Sequence, residues 1–264
     1  MARYKLGYIG IGNMGAALAS ASCAFDAKQV VVANRTPARA DAFAQRTNCA
    51  VGTMEYVARE SEYVLIGTLP GAVAETVAKV YPVMKATGEK RVLVSMAGSV
   101  TLSDLAAMTD PEFPIIRIMP NTPVAVGKGL VFYAPNANVD ETTVADFIKT
   151  MAPVGSLDPL SENLFNAGSA VAGCGPAFVA LFIEALADGG VKAGLPRDKA
   201  IAFAEKMILG TAELALRTGK HPGQLKDEVA SPGGSTIEGI QALEEGGFRA
   251  AAMRAVVAAW EKHR

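Results

Sequence analysis

A Rossmann-type doubly wound parallel sheet over residues 1–158, followed by an all-helical dimerisation domain over 159–264, is the α/β fold this sequence predicts. Three observations carry it. A short apolar run turns into closely spaced glycines and then into an alanine-rich segment between Lys5 and Ala19. Apolar runs of strand length then alternate with helical stretches, which is the mark of βαβ units and a parallel sheet. From Ser161 onward only helical periods remain, separated by Gly and Pro.

Leu6, Tyr8 and Ile9 read as the first buried strand and Ala16 to Ala19 as the helix after it. The spacing Gly10-x-Gly12-x-x-Gly15 between them fits a dinucleotide fingerprint. Gly10 makes the tight turn, Gly12 lets backbone approach a pyrophosphate, and Gly15 packs helix against strand. Phosphates would lie on the N–H groups at the helix start, so Asn13 and Met14 join these glycines as cofactor-binding candidates.

The second strand, Gln29 to Ala33, ends in Asn34-Arg35-Thr36. An NAD site usually places an acidic residue there to accept from the ribose 2′-OH, whereas Asn34 and Arg35 suit a 2′-phosphate. NADPH is therefore the expected cofactor; the alternative is that Arg35 is only a solvated charge at a strand end.

Pro37 to Arg46 reads as a helix and Cys49 to Val51 as a short strand. Tyr63 to Gly67 is the next strand, ending in Thr68-Leu69-Pro70-Gly71, and Val73 to Met84 is helical. Arg91 to Ser95 ends in Met96-Ala97-Gly98, and Pro114 to Ile118 ends in Met119-Pro120-Asn121. Ligands collect beyond the carboxyl ends of parallel strands. Thr68, Leu69, Pro70, Ser95, Ala97, Gly98, Pro120 and Asn121 should therefore face the same crevice as the glycine loop. A strand from Gly127 to Tyr133, a helix from Asp140 to Met151 and a strand from Val154 to Leu157 close the first half.

Bulk properties narrow the class. Half the residues are hydrophobic and 19% are charged, a rich apolar supply that suggests burial between subunits. The net charge of −1, with both signs interspersed, gives no footprint for nucleic acid or a membrane surface. Three cysteines without metal-like spacing argue for a reducing compartment, and no metal site is expected. No signal peptide and no uninterrupted spanning run is read, so a cytoplasmic location is expected.

In the second half, Gly175-Pro176 opens a helix whose stretch from Ala177 to Ala187 is apolar almost all round, a pattern that predicts burial on every side. Another helix runs from Pro196 to about Arg217, closed by Gly219. This is more apolar surface than one small bundle covers, which points to a homodimer. Cys174 precedes a helix start, where a thiol's pKa falls, yet Gly-Cys-Gly is more simply a close-packing site. Glu184 and Asp188 form either an interfacial polar site or a solvated helix edge.

The segment Ser231-Pro-Gly-Gly-Ser-Thr236 cannot be regular helix until its end. Ser235 and Glu238 match a capping box, which would leave the Thr236 hydroxyl free. Ser231, Gly233, Gly234, Ser235 and Thr236 then offer backbone donors and one hydroxyl to a small carboxylate. A connection that merely breaks and caps helices is the other reading. His221 and His263 read as exposed or structural rather than as general acids.

Taken together, the glycine loop, Arg117-Ile-Met-Pro-Asn-Thr-Pro123, Gly173 to Phe178, Leu181 to Asp188, Lys192 to Pro196 and His221 to Glu238 resemble pyrroline-5-carboxylate reductases over nearly the whole chain. The resemblance implies a Rossmann domain, a helical domain interlocked into a dimer, and often a ring of dimers. It also implies the last step of proline biosynthesis, in which NADPH or NADH reduces a cyclic imino acid, with Thr236 as the catalytic residue hydrogen-bonding near the ring nitrogen. Departures from the family pattern stand at Leu69-Pro70-Gly71, Asn166 and Cys174. A β-hydroxyacid dehydrogenase, which shares the early motif, would carry a lysine on the interdomain helix; Ala177 to Ala187 has none. A nucleotide-sensing module without turnover is the competing reading outside enzymes.

Overall fold

The computed structural model describes residues 2–262. They form two compact units, one reaching Gly173 and the other spanning Cys174–Lys262.

The first unit holds β1 (Tyr4–Ile9), α1 (Asn13–Asp26), β2 (Val30–Ala33), α2 (Pro37–Thr47), β3 (Ala50–Val51), α3 (Met54–Glu60) and β4 (Ser61–Ile66). It continues with α4 (Val73–Ala86), β5 (Val92–Ser95), α5 (Leu102–Met108), β6 (Ile115–Pro120), β7 (Gly129–Pro135), α6 (Glu141–Met151), β8 (Gly155–Pro159) and the short α7 (Phe165–Gly168). The strands build one sheet in the order β3-β2-β1-β4-β5-β6-β7-β8. Every neighbouring pair is parallel except β6 and β7. The turn Thr122–Val126 between those two is too short for a crossover helix, so β7 must fold back antiparallel. The fully parallel sheet expected from the sequence is modified at this edge.

Alternation along the strands sends side chains to both faces. Tyr8, Val32, Leu65, Val94 and Ile118 pack in the core beneath α1 and α6, while Ile9, Val31, Ile66 and Leu93 pack in the core beneath α3, α4 and α5. Both faces being covered explains why these strands read as continuous apolar runs. Helix α3 starts on Thr53, whose hydroxyl accepts from Tyr56 N, and α5 starts on a capping box between Thr101 and Asp104. Neither short helix has enough periods to be recognised from sequence alone.

The second unit contains α8 (Gly175–Lys192), α9 (Arg197–Thr218), α10 (Pro222–Val229), α11 (Ser235–Glu245) and α12 (Phe248–Lys262). Gly219 adopts φ +65° and ends α9, as its position predicts. Burial of α8 on every side does not occur within one chain: Ala187 is its buried residue, and Leu181 is 67% exposed. Phe203, Leu209, Leu214, Leu216 and Met253 are exposed as well. Five helices of one chain have too little facing surface to cover each other's apolar sides.

The chain holds no apolar run of spanning length free of glycine and charge, but its helices join into one that is long and apolar. Residues Glu162–Lys192 form a helical run that meets the length and composition test, with a mean hydropathy of 1.9. Gly168, Gly173 and Gly175 interrupt the apolar run, and the helical path continues through them by a wide turn at Ser169–Gly173.

Candidate active site

The three loop glycines differ in what surrounds them. Gly10 has φ +102°, and a Cβ there would lie 2.7 Å from the Gly67 carbonyl carbon. A Cβ on Gly15 would lie 2.1 Å from Gly10 O, so only glycine lets α1 approach the turn. A Cβ on Gly12 would meet nothing within 4 Å, which leaves that face open to a ligand. Gly12 is the extended N-cap of α1; no side chain caps the helix and no acidic residue occupies its first turn. The first-turn N–H groups and the positive end of the helix are thus presented to an anion. Met14 packs against the core, so it and Asn13 contribute backbone to this end.

Asn34 is committed to the loop itself. Its Oδ1 accepts from Ile11 N at 3.1 Å and its Nδ2 donates to Thr36 O at 3.1 Å, tying the end of β2 to the glycine turn. A donor for a 2′-phosphate must come from elsewhere.

Gly10, Gly12, Asn34, Arg35, Thr68 and Leu69 line one cavity of about 220 Å³. Arg39 and Lys79 line it too, and they were missed because they lie on helices rather than in strand-end loops. The signal available was a second arginine, Arg39, in the first turn of the helix that follows Arg35. Thr68 Oγ1 is buried there and makes no hydrogen bond. An unpartnered buried hydroxyl, an uncapped helix and the open face of Gly12 all fit a bound dinucleotide.

Ser95, Ala97, Gly98, Pro120 and Asn121 lie outside the walls of this cavity, at the ends of the adjacent strands β5 and β6. Ser95 Oγ accepts from Ala97 N at 3.4 Å, and Arg117 donates to Gly98 O. Asn121 accepts from Leu130 N at 2.9 Å and donates to Ala172 O at 3.0 Å. These side chains brace the loops, and Ala97 is buried in the core, which leaves backbone and the half-buried Gly98 to meet a ligand. Pro70 opens a short turn beside Leu69, which is 81% exposed.

In the second unit, Gly233 has φ +69° and Gly234 N donates to Ser231 O at 3.0 Å, closing a turn. The expected capping box is absent. Gly234, extended at φ −81° and ψ 166°, is the N-cap of α11, and no side chain caps it. Ser235 is therefore the first helical residue and Glu238 the fourth, one position too late to reach back. Thr236 is partly buried at the second helical position. The uncapped end presents N–H groups beside the Ser231, Ser235 and Thr236 hydroxyls.

His221 caps α10, its Nδ1 accepting from Gly223 N at 3.1 Å, which is a structural part. His263 lies outside the described residues. Asp188 pairs with Arg197 at 2.5 Å, and all three cysteines are free thiols. Among the described residues no cluster of three His, Cys, Asp or Glu could hold a metal ion.

Two family models match this chain: pyrroline-5-carboxylate reductase dimerisation over residues 162–264, and NADP oxidoreductase, coenzyme F420-dependent, over residues 5–98. The pyrroline-5-carboxylate reductase of Pisum sativum is 39% identical, over 99% of this chain and 95% of its own. The chain belongs to the pyrroline-5-carboxylate reductase family. The reductase of Escherichia coli K12 is 36% identical over 98% of this chain and 96% of its own. Among solved reductases, that of Plasmodium falciparum, with NADP bound, superposes with a TM-score of 0.86 at 30% identity, covering 100% of this chain and 98% of the other. The reductase of Coxiella burnetii gives a TM-score of 0.90 at 27% identity over 99% and 97%.

Proposed function

We infer that this chain is a pyrroline-5-carboxylate reductase, an NAD(P)H-dependent oxidoreductase that reduces the C=N bond of 1-pyrroline-5-carboxylate to L-proline in the last step of proline biosynthesis. The observation that carries it is the pairing, in one chain, of the glycine loop with its cationic cavity and the uncapped Ser231 to Thr236 turn.

A nicotinamide nucleotide held at the first unit supplies the hydride. The α1 end and Gly12 receive its pyrophosphate, Arg35 receives a 2′-phosphate, and Thr68, Leu69 and Pro70 wall the cleft. Backbone around Ser95, Ala97, Gly98, Pro120 and Asn121 lines the nicotinamide end. NADPH is preferred because no carboxylate ends β2, and NADH is accepted more weakly.

The substrate carboxylate rests on N–H groups around Gly233, Gly234 and Ser235, with the Ser231 hydroxyl alongside. The Thr236 hydroxyl hydrogen-bonds near the ring nitrogen, which must carry or gain a proton as hydride reaches carbon. A protonated imine is already electrophilic, so positioning supplies most of the acceleration.

The chain is a homo-oligomer, and we assign its dimer contact to the exposed apolar helices of the second unit. That contact also gives the apolar run Glu162–Lys192 a protein neighbour, consistent with a cytoplasmic enzyme. A ring of dimers is the proposed larger assembly, and neither nucleic acid nor membrane is a proposed partner.

The deciding assay follows NADPH absorbance on adding pyrroline-5-carboxylate, with a six-membered cyclic imine and NADH as comparisons. The signal should fall fastest with the five-membered substrate and NADPH. Binding of NADPH without oxidation would leave only a nucleotide sensor.

A further inference from the structure

The adenosine end of the cavity carries more positive charge than one strand-end arginine accounts for. Arg35, Arg39 and Lys79 all line it, against a single carboxylate, Glu75. Arg39 stands in the first turn of α2, the helix that follows Arg35, whereas Lys79 is contributed by α4. Lys79 is engaged within its own helix: its Nζ lies 2.8 Å from Glu75 Oε1, one helical turn earlier. Both side chains are solvated, and ion pairs of this kind hold weakly. The Lys79 ammonium, with a smaller contribution from Arg35, keeps the Glu75 carboxyl below the usual carboxylate range. Asn34, by contrast, has both ends of its amide tied to backbone.

We propose that Arg39 and Lys79 are specificity-determining residues that read a 2′-phosphate together with Arg35, and that Glu75 opposes them by retaining Lys79 and repelling the phosphate. Binding then exchanges one partner of Lys79 for another. The dianion takes the ammonium from Glu75 and gains two guanidinium neighbours on the α2 side. A nucleotide with a free 2′-OH gains none of these contacts, so the cluster sets how strongly NADPH is favoured. This deepens the reading of the cavity as a nicotinamide-nucleotide site and rests on it.

The test is calorimetric titration of the full-length protein with 2′,5′-ADP and with 5′-ADP, which needs no turnover. Wild type should bind 2′,5′-ADP the more tightly. Lys79→Ala and Arg39→Ala should each weaken 2′,5′-ADP by about five- to tenfold, the scale of one charge-assisted contact to phosphate, and change 5′-ADP less than twofold. Arg35→Ala should do the same or more, whereas Glu75→Gln should tighten 2′,5′-ADP several-fold. These differences should shrink as salt rises from 50 to 500 mM, roughly as the Debye length contracts. Melting curves of all four variants control for folding. Unchanged 2′,5′-ADP affinity in Lys79→Ala and Arg39→Ala overturns the proposal, as does equal binding of both nucleotides by wild type; in either case the nicotinamide site itself stands. If wild type binds neither nucleotide, the reading of the cavity falls and the proposal falls with it.

Discussion

Arg117 Nη1 lies 2.8 Å from Glu162 Oε1, the same oxygen that accepts from Leu102 N at 2.7 Å. The other guanidinium nitrogen donates to Gly98 O, and the group sits 4.8 Å from the Phe165 ring centroid. One nearly buried cation thereby joins the end of β6, the loop after β5 and the segment that follows β8. Arg117→Met should cost about 3 kcal/mol in urea unfolding, because it strands Glu162 and an accepting carbonyl. It should also raise the KM for the nicotinamide nucleotide through displacement of the Ala97–Gly98 backbone. Wild-type stability and KM together would show that the loop holds itself.

The glycine loop separates binding from folding. Gly12→Ala places its methyl in open space, so it should melt as wild type does while losing NADPH affinity at least about tenfold. Gly15→Ala puts a methyl 2.1 Å from Gly10 O and should lose both stability, by about 2 kcal/mol, and binding. Fluorescence titration with NADPH beside a melting curve distinguishes the two. Undiminished binding by Gly12→Ala would remove the pyrophosphate from that face.

Thr236→Ala should lower turnover by roughly 10²-fold while leaving the dissociation constant for NADPH unchanged, because the hydroxyl acts on the imine side only. Stopped-flow rates and a cofactor titration measure the two separately. An unaltered rate removes Thr236 from the chemistry.

Leu181→Asp introduces a charge on an α8 face that is exposed in one chain. If that face is the subunit contact, light scattering should report a monomer at micromolar concentration and the melting temperature should fall. An unchanged mass would place the dimer contact elsewhere.

Asp140 caps α6, accepting from Thr143 N at 2.7 Å and from the Thr142 and Thr143 hydroxyls. Those bonds, the Thr143 hydroxyl first, hold its carboxyl far below the ordinary aspartate range. A depressed folded-state pKa gives stability that is complete above the unfolded value of 3.8, starts to fall below it and is lost as pH falls through the lower folded-state value. Asp140→Ala should therefore melt about 2–4 °C lower at pH 7, and the gap should close progressively below about pH 4. A constant gap across that range would show that the charge is not responsible.

Much of the first unit was legible because its signals are local. Strands buried on both faces give short continuous apolar runs, and the loop glycines answer steric demands within a few residues of themselves. The antiparallel β7 was not legible as such, since direction depends on what the connection Thr122–Val126 can span. Nor were Arg39 and Lys79, which come together only because α2 and α4 flank the same strand ends. At Ser235 the sequence offered a valid capping pattern, but Gly234 took the extended cap position and shifted every role by one residue.

By itself the sequence determined the strand–glycine–helix opening, the alternation that makes the sheet, the helical second half and the chemistry resembling imine reduction. Each depends on residue type and spacing along the chain. Tertiary structure decided which glycine has room for a ligand, which polar side chains are spent on bracing, and that one chain leaves α8 uncovered. Those outcomes depend on what distant segments place within a few ångströms, and spacing in sequence carries no measure of that distance.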